Sequence, residues 1–172
     1  MTSFWLETTI SQLCQGDYLT SCLTPVFNQD FGARGEAEEV RVEKVDLIVV
    51  TQSCDLANGK ASFVALCPIY PIERFQSFNP NFNSKGKWEE VRKGRIEGLH
   101  LLSSLSTPEN NLDSLVVDFR EIYSLPIGYL IKHTRELGRR WQLQSPFLEH
   151  FSQSFARFFM RVGLPSQIPP FK

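Results

Sequence analysis

Thr51, Gln52, Ser53, Cys54 and Asp55 stand side by side in the stretch VVTQSCDLANGK, and together they carry hydroxyl, amide, thiol and carboxylate groups. A thiol or hydroxyl becomes a nucleophile only when a neighbour stabilises its anion or takes its proton, a role filled by a histidine, a helix N-terminus or a metal. His100, His133 and His150 all lie far along the chain from Cys54. Three readings follow. Ser53 and Asp55 can be turn formers ahead of Asn58-Gly59, with Asp55 accepting backbone N–H groups. Gln52, Ser53, Cys54 and Asp55 can line a loop that binds a ligand or partner. Cys54 can also be the centre of a metal- or thiol-dependent hydrolase. The four cysteines, at 14, 22, 54 and 67, show no CxxC or CxxH pair, so the spacing carries no zinc signature and no cofactor is expected. Cys22 and Cys67 sit in apolar runs, where a reduced cysteine acts as a small hydrophobe.

Cations form a second group of candidates. KGKWEEVRKGR sets Lys85, Lys87, Arg92, Lys93 and Arg95 around Trp88; basic residues beside an exposed aromatic suit single-stranded nucleic acid, whereas Glu89 and Glu90 interrupt the charge and leave Trp88 equally suited to anchoring the insertion to the core. Asp118 and Arg120 flank Phe119 and share a strand face, which suits a surface salt bridge or one side of an anion site. His150, Ser154, Arg157 and Arg161 recur at helical spacing. With Arg120, Arg157 and Arg161 could hold a phosphate or carboxylate through guanidinium forks.

The elements that must position these residues are legible from periodicity. Residues 1–13 read as a short helix or extended arm, and Gly16-Asp17 as a turn into the strand DYLTSCLTPVF. EEVRVEKVDLIVVTQ alternates and then becomes continuously apolar, the mark of a long strand buried on both faces in its second half. Asn58-Gly59 predicts a hairpin into SFVALCPI. Residues 70–98 look like an inserted helical loop. EGLHLL, SLVVDFREIYSL and RWQLQ read as later strands, with a short helix over 127–137. A helix over about 145–163 should start at Ser145-Pro146, stop at Gly163 and pack Phe151, Phe155, Phe158, Phe159 and Val162 inward.

Bulk properties limit the options. The 172 residues, 42% hydrophobic and 22% charged, suit one soluble domain, 1–172. Residues 1–60 carry nine acidic and four basic side chains and residues 61–172 ten and fourteen, so a net charge of −1 hides a mild polarity. No apolar run approaches a membrane span, and MTSFWLETTISQL lacks the basic and apolar regions of a signal peptide. A cytoplasmic protein without membrane contact is expected.

The order of the pieces resembles the MazF/PemK family of bacterial toxin–antitoxin systems. The Gly16-Asp17 turn, the central strand LIVVT ending on Thr51, the partner strand VALCPIYPI, a later Gly-containing strand and a C-terminal helix carry the likeness, over residues 14–72 and more loosely 97–163. The resemblance implies an α+β fold built on a small SH3-like β-barrel, and metal-independent cleavage of single-stranded RNA. That chemistry uses an Arg before a Pro at the start of the central strand together with the hydroxyl residue at its end. Thr51 matches the hydroxyl position; Val45 and Asp46 stand where Arg-Pro belongs, and Arg41 or Lys44 is the nearby substitute. The expected function is therefore a non-catalytic MazF-like module that binds a protein partner or RNA in a bacterial stress, toxin–antitoxin or defence system. An endoribonuclease using Thr51 and Arg41 is the alternative. A homodimer is a further implication of the resemblance.

Overall fold

The computed structural model describes residues 3–33, 35, 39–105 and 113–160. Arg161, the expected stop at Gly163 and the last residues of the expected helix lie outside that set. The fold is α+β: strands β1 (Trp5–Thr8), β2 (Asp17–Val26), β3 (Arg41–Val49), β4 (Phe63–Pro71), β5 (Leu99–Leu102), β6 (Leu115–Asp118), β7 (Tyr123–Pro126) and β8 (Arg140–Leu143), with helices α1 (Ser53–Ala57), α2 (Ile72–Phe78), α3 (Lys85–Arg92), α4 (Ile127–Leu137) and α5 (Phe147–Phe159). All strand pairs are antiparallel. The sheet runs β1-β8-β2-β3-β4-β6-β5 as an open path, with β7 paired to β4.

Alternation along β3 and β4 builds a core on both faces. Leu47, Val49, Val64 and Leu66 point to one side with Leu19, Leu125 and Leu130, beneath α4 and Leu56 of α1. Ile48, Val50, Cys67 and Ile69 point to the other, with Tyr18, Val117, Phe119 and Phe151 beneath α5. A fully buried Leu or Ile contributes about 1.5–3 kcal/mol, so these central strands anchor the molecule. α2 and α3 fill the expected insertion and pack Phe75 and Val91 on Leu99 and Val116.

Gly16 is the pivot of the N-terminal half. Its N–H donates to Val49 O and its carbonyl accepts from Leu143 N, at 2.9 and 3.1 Å. Its φ is +80°, and a Cβ there would sit 2.8 Å from Leu148 Cδ1. Only glycine fits such a junction without displacement. Next to it, Asp17 and Arg140 form a buried ion pair at 2.9 Å. Arg140 also donates to the carbonyls of Ile10 and Gln12, both at 2.6 Å, which ties down the N-terminal arm.

Several expectations are corrected. Of the two readings of the arm, the extended one holds and the helical one does not: it contains strand β1, paired with β8. Asn58-Gly59 ends α1 instead of making a two-residue hairpin: Asn58 N donates to Cys54 O and Gly59, at φ +64°, supplies the left-handed exit. The run SLVVDFREIYSL forms two strands, because β6 and β7 pair with different stretches of β4. α5 starts at Phe147, after Pro146, and Ser145 does not cap it; a residue before proline is disfavoured in helical geometry. Phe159 is 56% exposed, off the buried stripe.

Candidate functional site

Thr51 lies two residues beyond the buried end of the central strand, and its hydroxyl is already committed. Thr51 Oγ1 accepts from Ala65 N at 2.8 Å, while Val50 N and Thr51 N both reach Ala65 O. The side chain thus extends the β3–β4 ladder where the backbone leaves it. Ser53 Oγ likewise accepts from Gln15 N at 2.9 Å, and Gln15 Nε2 donates to Val50 O. These bonds fix the loop to the Gly16 turn.

The rest of the loop folds as α1. Gln52 is exposed, and its backbone carbonyl accepts from Asp55 N and Leu56 N. The expected capping by the Asp55 carboxylate is replaced by this backbone bonding, since the residues continue as a helix rather than turning. Cys54 is exposed, with Sγ 3.6 Å from Gln52 Oε1 and 3.9 Å from Asp55 Oδ1. An amide oxygen and a carboxylate do not stabilise a thiolate. His100 packs on the opposite face of the sheet, against Phe119 and Phe151. Among the described residues no group of three His, Cys, Asp or Glu side chains converges as a metal site; of the neighbours that activate a thiol, Cys54 has only the N-terminus of the five-residue helix α1.

Arg41 and Thr51 are not brought together. Arg41 begins the nine-residue strand β3 and pairs with Glu43 at 2.7 Å, whereas Thr51 follows the other end. At roughly 3.3 Å per residue the two are separated by nearly the whole strand, about 30 Å. Asp46, at a position where the resembled family has Arg-Pro, does structural work. Its carboxylate accepts from Ser21 N at 2.7 Å and from the Tyr18 hydroxyl at 3.0 Å. Ser21 is a non-glycine residue at φ +54°, within the bulge that shifts the β2–β3 register between Leu19 and Cys22. Asp46 holds that otherwise disfavoured turn in place.

The basic insertion is largely self-neutralised. Glu89 takes both Arg92, at 2.6 Å, and Lys93, at 3.3 Å, and Glu90 takes Arg95 at 3.0 Å. Trp88 is only partly exposed and packs on Phe75 and Phe82, with centroids 5.8 and 5.4 Å away. It anchors the insertion to the core, the structural one of its two expected roles.

One groove does gather expected and unexpected residues. The segment 91–101 and helix α5 enclose about 330 Å³, lined by Lys93, His100, Phe119, Ser154, Arg157 and Phe158 among others. Arg157 is exposed and, among the described residues, has no ion-pair partner. Arg120 borders the groove at Gly98, where a Cβ would meet Arg120 Cγ at 3.0 Å and Phe158 Cε2 at 3.1 Å, with φ at +86°. Its guanidinium holds the buried Asp118, Nε to Oδ1 at 2.8 Å. Arg120 therefore backs Gly98 behind the groove lining, with its charge answered internally. His100 stacks on Phe119 with centroids 5.9 Å apart. Burial, and secondarily the nearby His150, push its pKa down to about 4, so the imidazole is neutral at pH 7. A second hollow, of about 260 Å³ beside Trp141, has its charges matched: Glu7 pairs with Arg139 and Asp17 with Arg140.

Of the arginines singled out in the sequence, Arg157 lines this groove and Arg120 lies behind Gly98, bound to Asp118; Gly98, Lys93 and Phe158 are lining residues that the sequence did not indicate. The glycine of EGLHLL was the available signal. Comparison with protein-family models, with curated proteins and with solved structures found no match.

Proposed function

We propose that this protein is a non-catalytic binding module that takes single-stranded RNA through the groove between residues 91–101 and α5. The observation that carries the reading is Arg157, a cation without a carboxylate partner among the described residues, on the α5 side of a groove of about 330 Å³ that Phe158 also lines. Phosphate attracts unpaired cations, and bases attract aromatic surfaces. The non-catalytic part rests on Thr51, whose hydroxyl completes the β3–β4 ladder, and on Arg41, at the far end of the strand.

The finer architecture, a MazF/PemK-like SH3-like barrel, belongs to the same proposal. The β2–β3–β4 antiparallel core, the bulge in β2 and the closing helix α5 support it. The setting in a bacterial stress, toxin–antitoxin or defence system, and in the cytoplasm, comes with the resemblance. No helix among the described residues is long and apolar enough to cross a membrane.

A protein partner is the second reading, favoured by Leu23 and Val42, which are 48% and 55% exposed on the distal β2–β3 pair. Fluorescence anisotropy with a labelled single-stranded RNA separates the two. Saturable binding that falls steeply with salt and weakens in Arg157→Gln supports the RNA reading. Binding unaffected by that substitution contradicts it.

A further inference from the structure

We infer that the groove between residues 91–101 and α5 seats one nucleoside monophosphate unit, with its phosphate on the Arg157 side and its base beside Phe158 and His100. This rests on the RNA-binding reading and names the ligand unit of the same site.

Size comes first. At about 330 Å³ the groove lies near the lower limit of the roughly 300–1,000 Å³ typical of small-ligand sites. That is room for one nucleotide rather than a run of them. The polarity is also graded along it. Arg157 and Ser154 stand on the exposed face of α5, while His100 lies deeper, packed against Phe119 and Phe151. Arg92 and Lys93 add positive charge at the opposite rim, although both already hold Glu89, and Glu97 lines the same wall. The anion is therefore directed to Arg157, whose guanidinium offers a fork matched to phosphate oxygens.

The deeper end suits a neutral heterocycle. Among the described residues the His100 ring nitrogens have no hydrogen-bond partner, and a neutral imidazole offers one donor and one acceptor. A base edge presents the complementary pair. Phe158 adds half-buried flat apolar surface beside it, the kind of wall on which bases stack, while Phe119, 1% exposed, backs the His100 ring from the core. A bare inorganic anion would use Arg157 and leave this half of the groove without a role. Gly98 completes the shape: a side chain there would press on Phe158 and Arg120.

The test uses the full chain and isothermal titration calorimetry with AMP, adenosine and inorganic phosphate, alongside two oligoribonucleotides of one sequence, with and without a 5′-phosphate. Arg157→Gln and His100→Phe are compared with Arg135→Gln, an exposed arginine on α4. AMP should bind saturably, and at least tenfold more tightly than adenosine or phosphate. Arg157→Gln should remove most of that gain, roughly tenfold or more, and Arg135→Gln should leave it unchanged. His100→Phe should weaken AMP and adenosine alike.

Equal affinity for phosphate and AMP, or AMP binding indifferent to Arg157→Gln, overturns the inference. If the oligomers bind but AMP neither binds nor competes, the nucleotide seat fails while the RNA-binding reading stands. If AMP binds through Arg157 and neither oligomer does, the seat stands, its source is a free nucleotide, and the RNA reading fails. Preference for the 5′-phosphorylated oligomer identifies a terminal nucleotide as the source; equal binding of both oligomers, in competition with AMP, identifies an internal one.

Discussion

Thr51 illustrates how one side chain can look catalytic in sequence and prove structural in the fold. Its hydroxyl accepts the Ala65 N–H where the ladder would otherwise lapse. Thr51→Val should therefore lower stability by about 1–2 kcal/mol, the cost of leaving a backbone donor unmade, and leave RNA affinity unchanged. Urea denaturation beside anisotropy checks both. His100 gives a residue-scale prediction with a definite sign. Its folded pKa of about 4 lies below the usual 6.5, so between those values the unfolded chain holds a proton that the folded chain lacks. Stability should fall as pH drops from about 6.5 to about 4, by no more than roughly 3 kcal/mol from this group, and flatten below that. In His100→Phe, which keeps the ring packing, this contribution should vanish from the pH dependence of the denaturation midpoint.

At the scale of elements, long-range periodicity was readable and local punctuation was not. β3, β4, α4 and α5 follow directly from alternation or helical spacing, because both faces of the central strands are covered and α5 has one buried stripe. β1 was illegible for a different reason: four residues with a strand partner more than 130 positions away leave little local signal. Asn58-Gly59 misled because the same left-handed glycine serves a helix exit as well as a hairpin. Trp88 was ambiguous because charge around an aromatic does not show that Glu89 and Glu90 neutralise it. Two element-scale predictions follow. Arg140→Met should cost about 3–5 kcal/mol, since it strands the buried Asp17 and frees the arm at Ile10 and Gln12; thermal or urea unfolding reads this. Gly98→Ala combines a positive φ with contacts near 3.0 Å, and should cost about 1–3 kcal/mol while weakening binding in the groove.

For the whole molecule, the sheet places its two sets of candidate residues on different surfaces. The Thr51–Asp55 loop is tied to the Gly16 turn, and the Arg157 groove lies between the insertion and α5. The α+β class was legible in the sequence, whereas the sheet is an open path and not the closed barrel expected; the groove was not legible, because it forms only when Gly98, His100 and α5 meet. This arrangement separates a structural strand end from a binding surface, and the separation is the central claim. It is tested most directly by incubating a long, unstructured RNA with the purified protein in chelator, beside Thr51→Ala and Arg157→Gln, and following both retention and strand length. The account predicts intact RNA throughout, bound by the wild type and by Thr51→Ala but poorly by Arg157→Gln. Cleavage that disappears in Thr51→Ala would contradict it.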